Sequence, residues 1–190
     1  MKTGLFFGSF NPIHVGHLII ANTVAQREDI DEVWFIVSPQ NPFKKRSTLL
    51  HEFDRFDMVE AAIEDNDLLK ASNIEFNMPK PSYTIDTLTY LSTKHPNKSF
   101  NVIVGSDNLS HFHKWKNYEQ ILDEYGLLVY PRPNTKPHKF ENDSRIVHVD
   151  SPMVDISATF IRNSIQNEKS IRYLVPDKVQ LLIDSRKYYH

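Results

Sequence analysis

Two histidines three residues apart, His14 and His17, carry the clearest chemical signal in this 190-residue chain. They close the run Gly8-Ser9-Phe10-Asn11-Pro12-Ile13-His14-Val15-Gly16-His17, which joins a short apolar segment to a helical pattern. Gly8 at the end of a strand lets the backbone come close to a ligand, since it has no Cβ. Gly16 falls at the helix N-terminus, where free N–H groups and the dipole favour anions. With His17 starting the helix and His14 just before it, both imidazoles can face one phosphate. The spacing matches neither the dinucleotide fingerprint nor the P-loop. Taken singly, each histidine serves equally well as a loop or capping residue, and a zinc reading lacks a third ligand at suitable spacing.

A second anion-binding pattern lies near the other end of the chain. In Ile156-Ser157-Ala158-Thr159-Phe160-Ile161-Arg162, Ser157 is a natural N-cap and Arg162 follows about a turn and a half into the helix. A capped helix N-terminus with hydroxyls and an arginine nearby can cradle phosphate. By itself the same pattern is also an ordinary capped helix with an exposed arginine. Lys44, within Asn41-Pro42-Phe43-Lys44-Lys45-Arg46, is a third candidate, and its plain alternative is a solvated basic loop.

Positioning such groups is the task of the surrounding elements. Strand-like runs occur at Leu5–Phe7, Val33–Val37, Val102–Val104, Leu127–Tyr130 and Ile146–Val149, apolar on successive residues as in strands buried on both faces. Helical patterns fall at Leu18–Arg27, Phe53–Ile63, Thr84–Leu91, Tyr118–Leu122, Thr159–Ile165 and Asp177–Ile183, the third fed by a Pro-Ser turn with Thr84 or Ser82 as its cap. This alternation predicts an α/β fold: a doubly wound parallel sheet with helices on both faces, forming one domain over residues 1–190. In such a sheet ligands bind beyond the carboxyl ends of the strands, where the His14–His17 turn sits. The polar stretch Pro131–Asn142 reads as a surface excursion.

Composition removes whole classes of function. No cysteine is present, which excludes disulfide scaffolds, thiolate zinc sites and cysteine nucleophiles, and suits a reducing cytoplasm. The net charge of -2 gives no electrostatic case for a nucleic-acid partner. No run reaches the ~20 apolar residues a membrane span requires, and the N-terminus is not a signal peptide. A soluble cytoplasmic protein is expected. Only 5 glycines occur, well below the usual ~7%. Gly8, Gly16 and Gly105 fall where backbone would meet a nucleotide, whereas Gly4 and Gly126 have no evident role.

The His14-Val15-Gly16-His17 turn, preceded by Gly-Ser-Phe-Asn-Pro, resembles the nucleotidyltransferase superfamily marked by H-x-G-H on a Rossmann-like sheet. Ile156–Arg162 resembles the I-S-x-T-x-I-R signature of its adenylyltransferase branch. Pro81-Ser82-Tyr83-Thr84-Ile85-Asp86-Thr87-Leu88, then Gly105-Ser106-Asp107-Asn108-Leu109 and Trp115, resemble segments of the nicotinate-mononucleotide adenylyltransferases. The resemblance covers about Phe7 to Tyr188. It implies transfer of AMP from ATP to nicotinate mononucleotide, with Mg²⁺ arriving on ATP and no metal held by the protein itself.

By that resemblance, His14, His17 and Arg162 are catalytic. Gly8, Ser9, Phe10, His14, Gly16, His17, Lys44, Gly105, Asp107, Ile156, Ser157 and Arg162 bind ATP, with Gly105 and Asp107 by the ribose and adenine. Trp115 stacks on the pyridine ring, and backbone groups at Tyr83 and Thr84 hold its carboxylate. Asn11 stands where most members carry aspartate, and Phe43 where many carry histidine. The rival readings are a phosphopantetheine adenylyltransferase and a nucleotide-binding module without activity. Preference for the acid over the amide is open at this stage, as is oligomeric state, with a homo-oligomer among the states permitted.

Overall fold

The five apolar runs and one further segment form the parallel strands β1 (Lys2–Gly8), β2 (Glu32–Val37), β3 (Leu69–Ser72), β4 (Ser99–Gly105), β5 (Leu127–Tyr130) and β6 (Ile146–His148). They assemble in one sheet of order β3-β2-β1-β4-β5-β6. The computed structural model describes residues 1–39, 49–133 and 135–190. Among these residues seven α-helices connect and cover the strands: α1 (Val15–Ala25), α2 (Glu52–Ile63), α3 (Thr84–Lys94), α4 (Leu109–Phe112), α5 (Tyr118–Glu124), α6 (Ala158–Gln166) and α7 (Asp177–Arg186).

Alternation along the strands explains the two-sided core. Phe6, Phe35, Ile103 and Leu128 face α1, α2, α6 and α7, whose Ile20, Val24, Met58, Val59, Ile161 and Val179 complete one apolar cluster. Their neighbours Leu5, Ile36, Val102 and Val129 face α3, α4 and α5 through Leu88, Leu91, Phe112 and Ile121. Both faces of the central strands are therefore dry, as their unbroken apolar runs require. The expected doubly wound sheet with helices on both faces is the fold observed. Register is set by pairs such as Phe6 with Phe35 across β1 and β2, and Leu5 with Val102 across β1 and β4. The order of strands reverses between β1 and β4, which makes that junction the switch point where such sheets bind ligands.

Three details depart from the sequence reading. β3 was not expected, because Leu69-Lys70-Ala71-Ser72 holds one large apolar residue; at the sheet edge, one is sufficient. α3 is capped neither by Thr84 nor by Ser82: Tyr83 occupies the N-cap without a side-chain bond, and Ser82 Oγ donates to Glu75 Oε2 at 2.8 Å instead. The stretch after β5 is pinned rather than merely superficial. Phe140 is buried, its ring edge-on to Phe112 at 5.6 Å, and Arg132 N–H donates to Ser106 Oγ at 2.9 Å.

The glycine count also gains a structural reason. Gly126 has φ +67, and a Cβ there would meet the Arg145 carbonyl oxygen at 2.9 Å. Left-handed backbone and crowding together demand glycine where α5 turns into β5.

Candidate active site

The first turn is built around an aromatic plug. Phe10 has φ 44, a left-handed backbone that costs a non-glycine residue about 1–2 kcal/mol. Its ring offsets this by packing edge-on to Phe35 at 5.3 Å and Phe6 at 5.9 Å. A Cβ at Gly8 would meet that ring at 2.7 Å, so glycine here admits Phe10 beneath the turn.

Phe10 also supports His17, whose ring stands edge-on at 5.1 Å. His14 is the N-cap of α1. Its ring stacks on His17 with centroids 3.6 Å apart, and its main-chain N–H donates to His17 Nδ1 at 3.3 Å. His14 is buried. Burial, and then the charge of Arg132, lower its pKa from 6.5 to about 4. At neutral pH it is an uncharged imidazole, its Nδ1 turned inward so that a Cβ at Gly16 would meet it at 3.1 Å.

The second signature folds against the first. Ser157 caps α6, its Oγ accepting from Phe160 N–H at 3.2 Å. Arg162 reaches back from α6, donating from Nη1 to the Asn11 carbonyl at 2.7 Å and from Nη2 to Thr159 Oγ1 at 3.2 Å. Gly8, Ser9, Phe10, His14, His17, Ile156, Ser157 and Arg162 line one cleft, joined there by Arg132. Gly16 lies buried behind His14 and Val154 rather than on that wall. Lys44 lies outside the described residues.

A second cleft opens from the same junction. Tyr83, Thr84, Gly105, Lys114 and Trp115 line it, and Trp115 is half-buried with its ring 5.2 Å from Phe112. The two clefts share Phe6, Phe7, Gly8 and Tyr130 as walls. Asp107 lines neither cleft: it is exposed, its carboxylate 3.9 Å from Arg132 Nε. Lys116 closes the outer side, bonded to Asp86 at 2.9 Å and 4.9 Å over the Tyr83 ring.

Several residues at these clefts escaped sequence reasoning. Arg132 follows β5 by two positions, and its place just past a strand's carboxyl end was the available signal. Glu75 is buried on the wall of the second cleft; its oxygens accept from Ser82 Oγ and Thr87 Oγ1, each at 2.8 Å. Burial raises its pKa, against the pull of those hydroxyls and of Ser38. Asn11 Oδ1 accepts from Tyr189 Oη at 2.9 Å and from Leu50 N–H at 3.3 Å. Those bonds ask for a side-chain oxygen at position 11, which asparagine supplies as well as aspartate does.

A parallel sheet whose switch-point cleft sets stacked imidazoles against a capped helix N-terminus has the architecture of the nucleotide-binding class of α/β proteins. The family model described as cytidylyltransferase-like matches residues 5–164. A relative from Cytophaga hutchinsonii named "probable nicotinate-nucleotide adenylyltransferase" is 62% identical over 189 residues, covering 100% of this chain and 98% of its own. Another of that name, from Flavobacterium psychrophilum, is 50% identical over 191 residues, covering 100% of this chain and 99% of its own. The chain belongs to the cytidylyltransferase-like family and, within it, to the nicotinate-nucleotide adenylyltransferases. Its fold matches that of the Plasmodium falciparum nicotinic acid mononucleotide adenylyltransferase complexed with NaAD, with TM-score 0.82 at 18% identity over 99% of this chain and 97% of that one. No helix among the described residues is long and apolar enough to cross a membrane.

Proposed function

We propose that this protein transfers AMP from ATP to nicotinate mononucleotide, forming the deamido dinucleotide and pyrophosphate. The observation that carries this reading is the pair of clefts meeting at Gly8, one lined by His14, His17, Ser157 and Arg162, the other by Tyr83, Thr84 and Trp115. Two nucleotides laid into them from either side would bring their phosphates together at the shared wall. The names of the relatives support the same acceptor.

The reaction joins a phosphate oxygen of the mononucleotide to the α-phosphorus of ATP while the bond to the bridging oxygen of pyrophosphate breaks. No protein nucleophile is required, and catalysis consists of alignment and stabilisation of phosphate charge. His14 and His17 face the α-phosphate region and donate to oxygens that gain charge in the transition state. Arg162, the free N–H groups above Ser157, and Arg132 hold the β- and γ-phosphates and the departing pyrophosphate. Lys44 adds to that set by family resemblance. In the second cleft the face of Trp115 receives the electron-poor pyridine ring. The first N–H groups of α3, at Tyr83 and Thr84, receive its carboxylate.

Mg²⁺ enters as a partner of ATP, held by phosphate oxygens and water. Among the described residues no group of three His, Asp or Glu could hold a metal ion. The test is pyrophosphate release from ATP with nicotinate mononucleotide, nicotinamide mononucleotide and phosphopantetheine offered in parallel. Turnover is expected with the first. Turnover with phosphopantetheine alone overturns the reading, and no turnover with any assigns the fold to nucleotide binding without catalysis.

A further inference from the structure

Arg55, on the first turn of α2, is a cation fully enclosed by protein, with 0% of its surface exposed. Among the described residues, every bond its guanidinium makes goes to a main-chain carbonyl. Nε donates to Leu50 at 2.9 Å, Nη1 to Ser9 and to Ser38 at 2.8 Å, and Nη2 to Pro39 at 3.0 Å. Among the described residues no carboxylate lies within ion-pair distance, and the undescribed stretch 40–48 contains no acidic residue. Glu52, the acidic side chain that acts on it from the same helix, is engaged with Lys80 at 2.8 Å. Burial lowers the pKa of Arg55 to about 10, which leaves it charged at neutral pH.

This arrangement is costly for a residue that only packs. Buried charges are ordinarily paired with an opposite charge. Here four carbonyl dipoles from three chain segments converge on one fork: the phosphate turn through Ser9, the carboxyl end of β2 through Ser38 and Pro39, and the entry to α2 through Leu50. Leu50 is held from both sides of its peptide, since its N–H donates to Asn11 Oδ1. Carbonyls solvate the guanidinium without cancelling its charge, so a full positive charge sits directly behind Ser9, a residue on the wall of the phosphate-side cleft.

We propose that Arg55 is a positioning residue for ATP. It fixes the Ser9–Asn11 turn against β2 and α2, and it leaves an uncompensated charge behind that turn whose counter-ion is the bound polyphosphate. This rests on the reading that ATP phosphates occupy the His14–Arg162 cleft. Guanidinium geometry and charge are separable, because lysine keeps the charge without the fork and glutamine keeps one donor pair without the charge.

The test compares wild type, Arg55→Lys and Arg55→Gln, each checked for folding by circular dichroism and thermal melting. KM for ATP is expected to rise about tenfold in the lysine variant and more in the glutamine variant, with KM for nicotinate mononucleotide within twofold of wild type. Inorganic pyrophosphate, titrated calorimetrically, should weaken in the same order. Folded variants with unchanged ATP and pyrophosphate parameters overturn the proposal, as do variants that lose both substrates equally. If neither variant folds, arginine ¹⁵Nε spectra of the wild-type protein decide. The buried Nε–H of Arg55 must shift when pyrophosphate saturates the protein, and no shift overturns the proposal. A wild-type protein that neither binds pyrophosphate nor uses ATP refutes the underlying reading instead, which keeps the two failures apart.

Discussion

Arg162 donates from Nη1 to the main-chain carbonyl of Asn11 at 2.7 Å, across 151 residues of sequence. The contact makes one cleft of two signatures that the chain carries at opposite ends. It also uses only half of the guanidinium fork, with Nη2 turned toward Thr159 at the mouth of α6. Replacing Arg162 by lysine keeps a charge but cannot span the Asn11 carbonyl and a phosphate together. We expect kcat/KM for ATP to fall between about 10-fold and 100-fold, equivalent to about 1.4–2.7 kcal/mol, as read by pyrophosphate release. Activity within twofold of wild type would remove Arg162 from phosphate binding.

His17 is supported by Phe6 and Phe10 and stacked on His14. His17→Ala deletes a donor aimed where charge develops, so kcat should fall at least ~100-fold while KM changes little. Near-normal kcat would place His17 among the structural residues of the turn.

The lowered pKa of His14 has a sign that can be tested by unfolding. In the unfolded chain the imidazole takes a proton near pH 6.5, and in the fold only near 4. Stability is therefore undiminished above about 6.5 and is lost as pH falls from there to about 4, by about 3 kcal/mol in all. A second loss follows from Glu32. Burial opposes its charge, but Lys70, Lys98, Trp34 and Thr3 win, drawing its pKa from 4.5 down to about 2. Its contribution is present above 4.5 and disappears as pH falls toward 2. Urea unfolding as a function of pH should show both windows, and His14→Asn should flatten the first while leaving the second.

Trp115 tests the second cleft. An aromatic pair is worth about 0.5–1.5 kcal/mol beyond its buried area, so Trp115→Ala should raise KM for nicotinate mononucleotide by about tenfold or more. KM for ATP should stay within about threefold. Equal losses on both substrates would indicate that the ring only supports Phe112 and its neighbours.

Gly126→Ala probes stability away from the site. Its φ of +67 and the Arg145 carbonyl at 2.9 Å from an added Cβ oppose any side chain. The variant should lose at least ~1 kcal/mol, a fall in Tm of about 2–4 °C, with kinetics unchanged. An unaltered melting curve would contradict the left-handed turn.

The parts legible in the sequence are those written in adjacent residues. Uninterrupted apolar runs announced strands buried on both faces, and Leu5 with Phe6 duly divide between the two cores. The H-x-G-H turn and the Ser157 cap were legible because one helical turn brings their groups together without help from the rest of the chain. Edge strand β3 was not, since a strand covered on one side needs little apolar content.

The sequence alone determined the class of fold, the two motifs at opposite ends of the chain and the family. Tertiary structure alone decided that those signatures form a single cleft, and which buried polar groups hold it. Arg55 reaches Ser9 across 46 residues and Tyr189 reaches Asn11 across 178. Glu75 is held by the hydroxyls of Ser82 and Thr87. Their partners are carbonyls, hydroxyls and an amide oxygen, groups that nearly every stretch of chain possesses. Such bonds leave no period or spacing to read, because what selects them is the folded geometry that denies these polar atoms water and offers them one another.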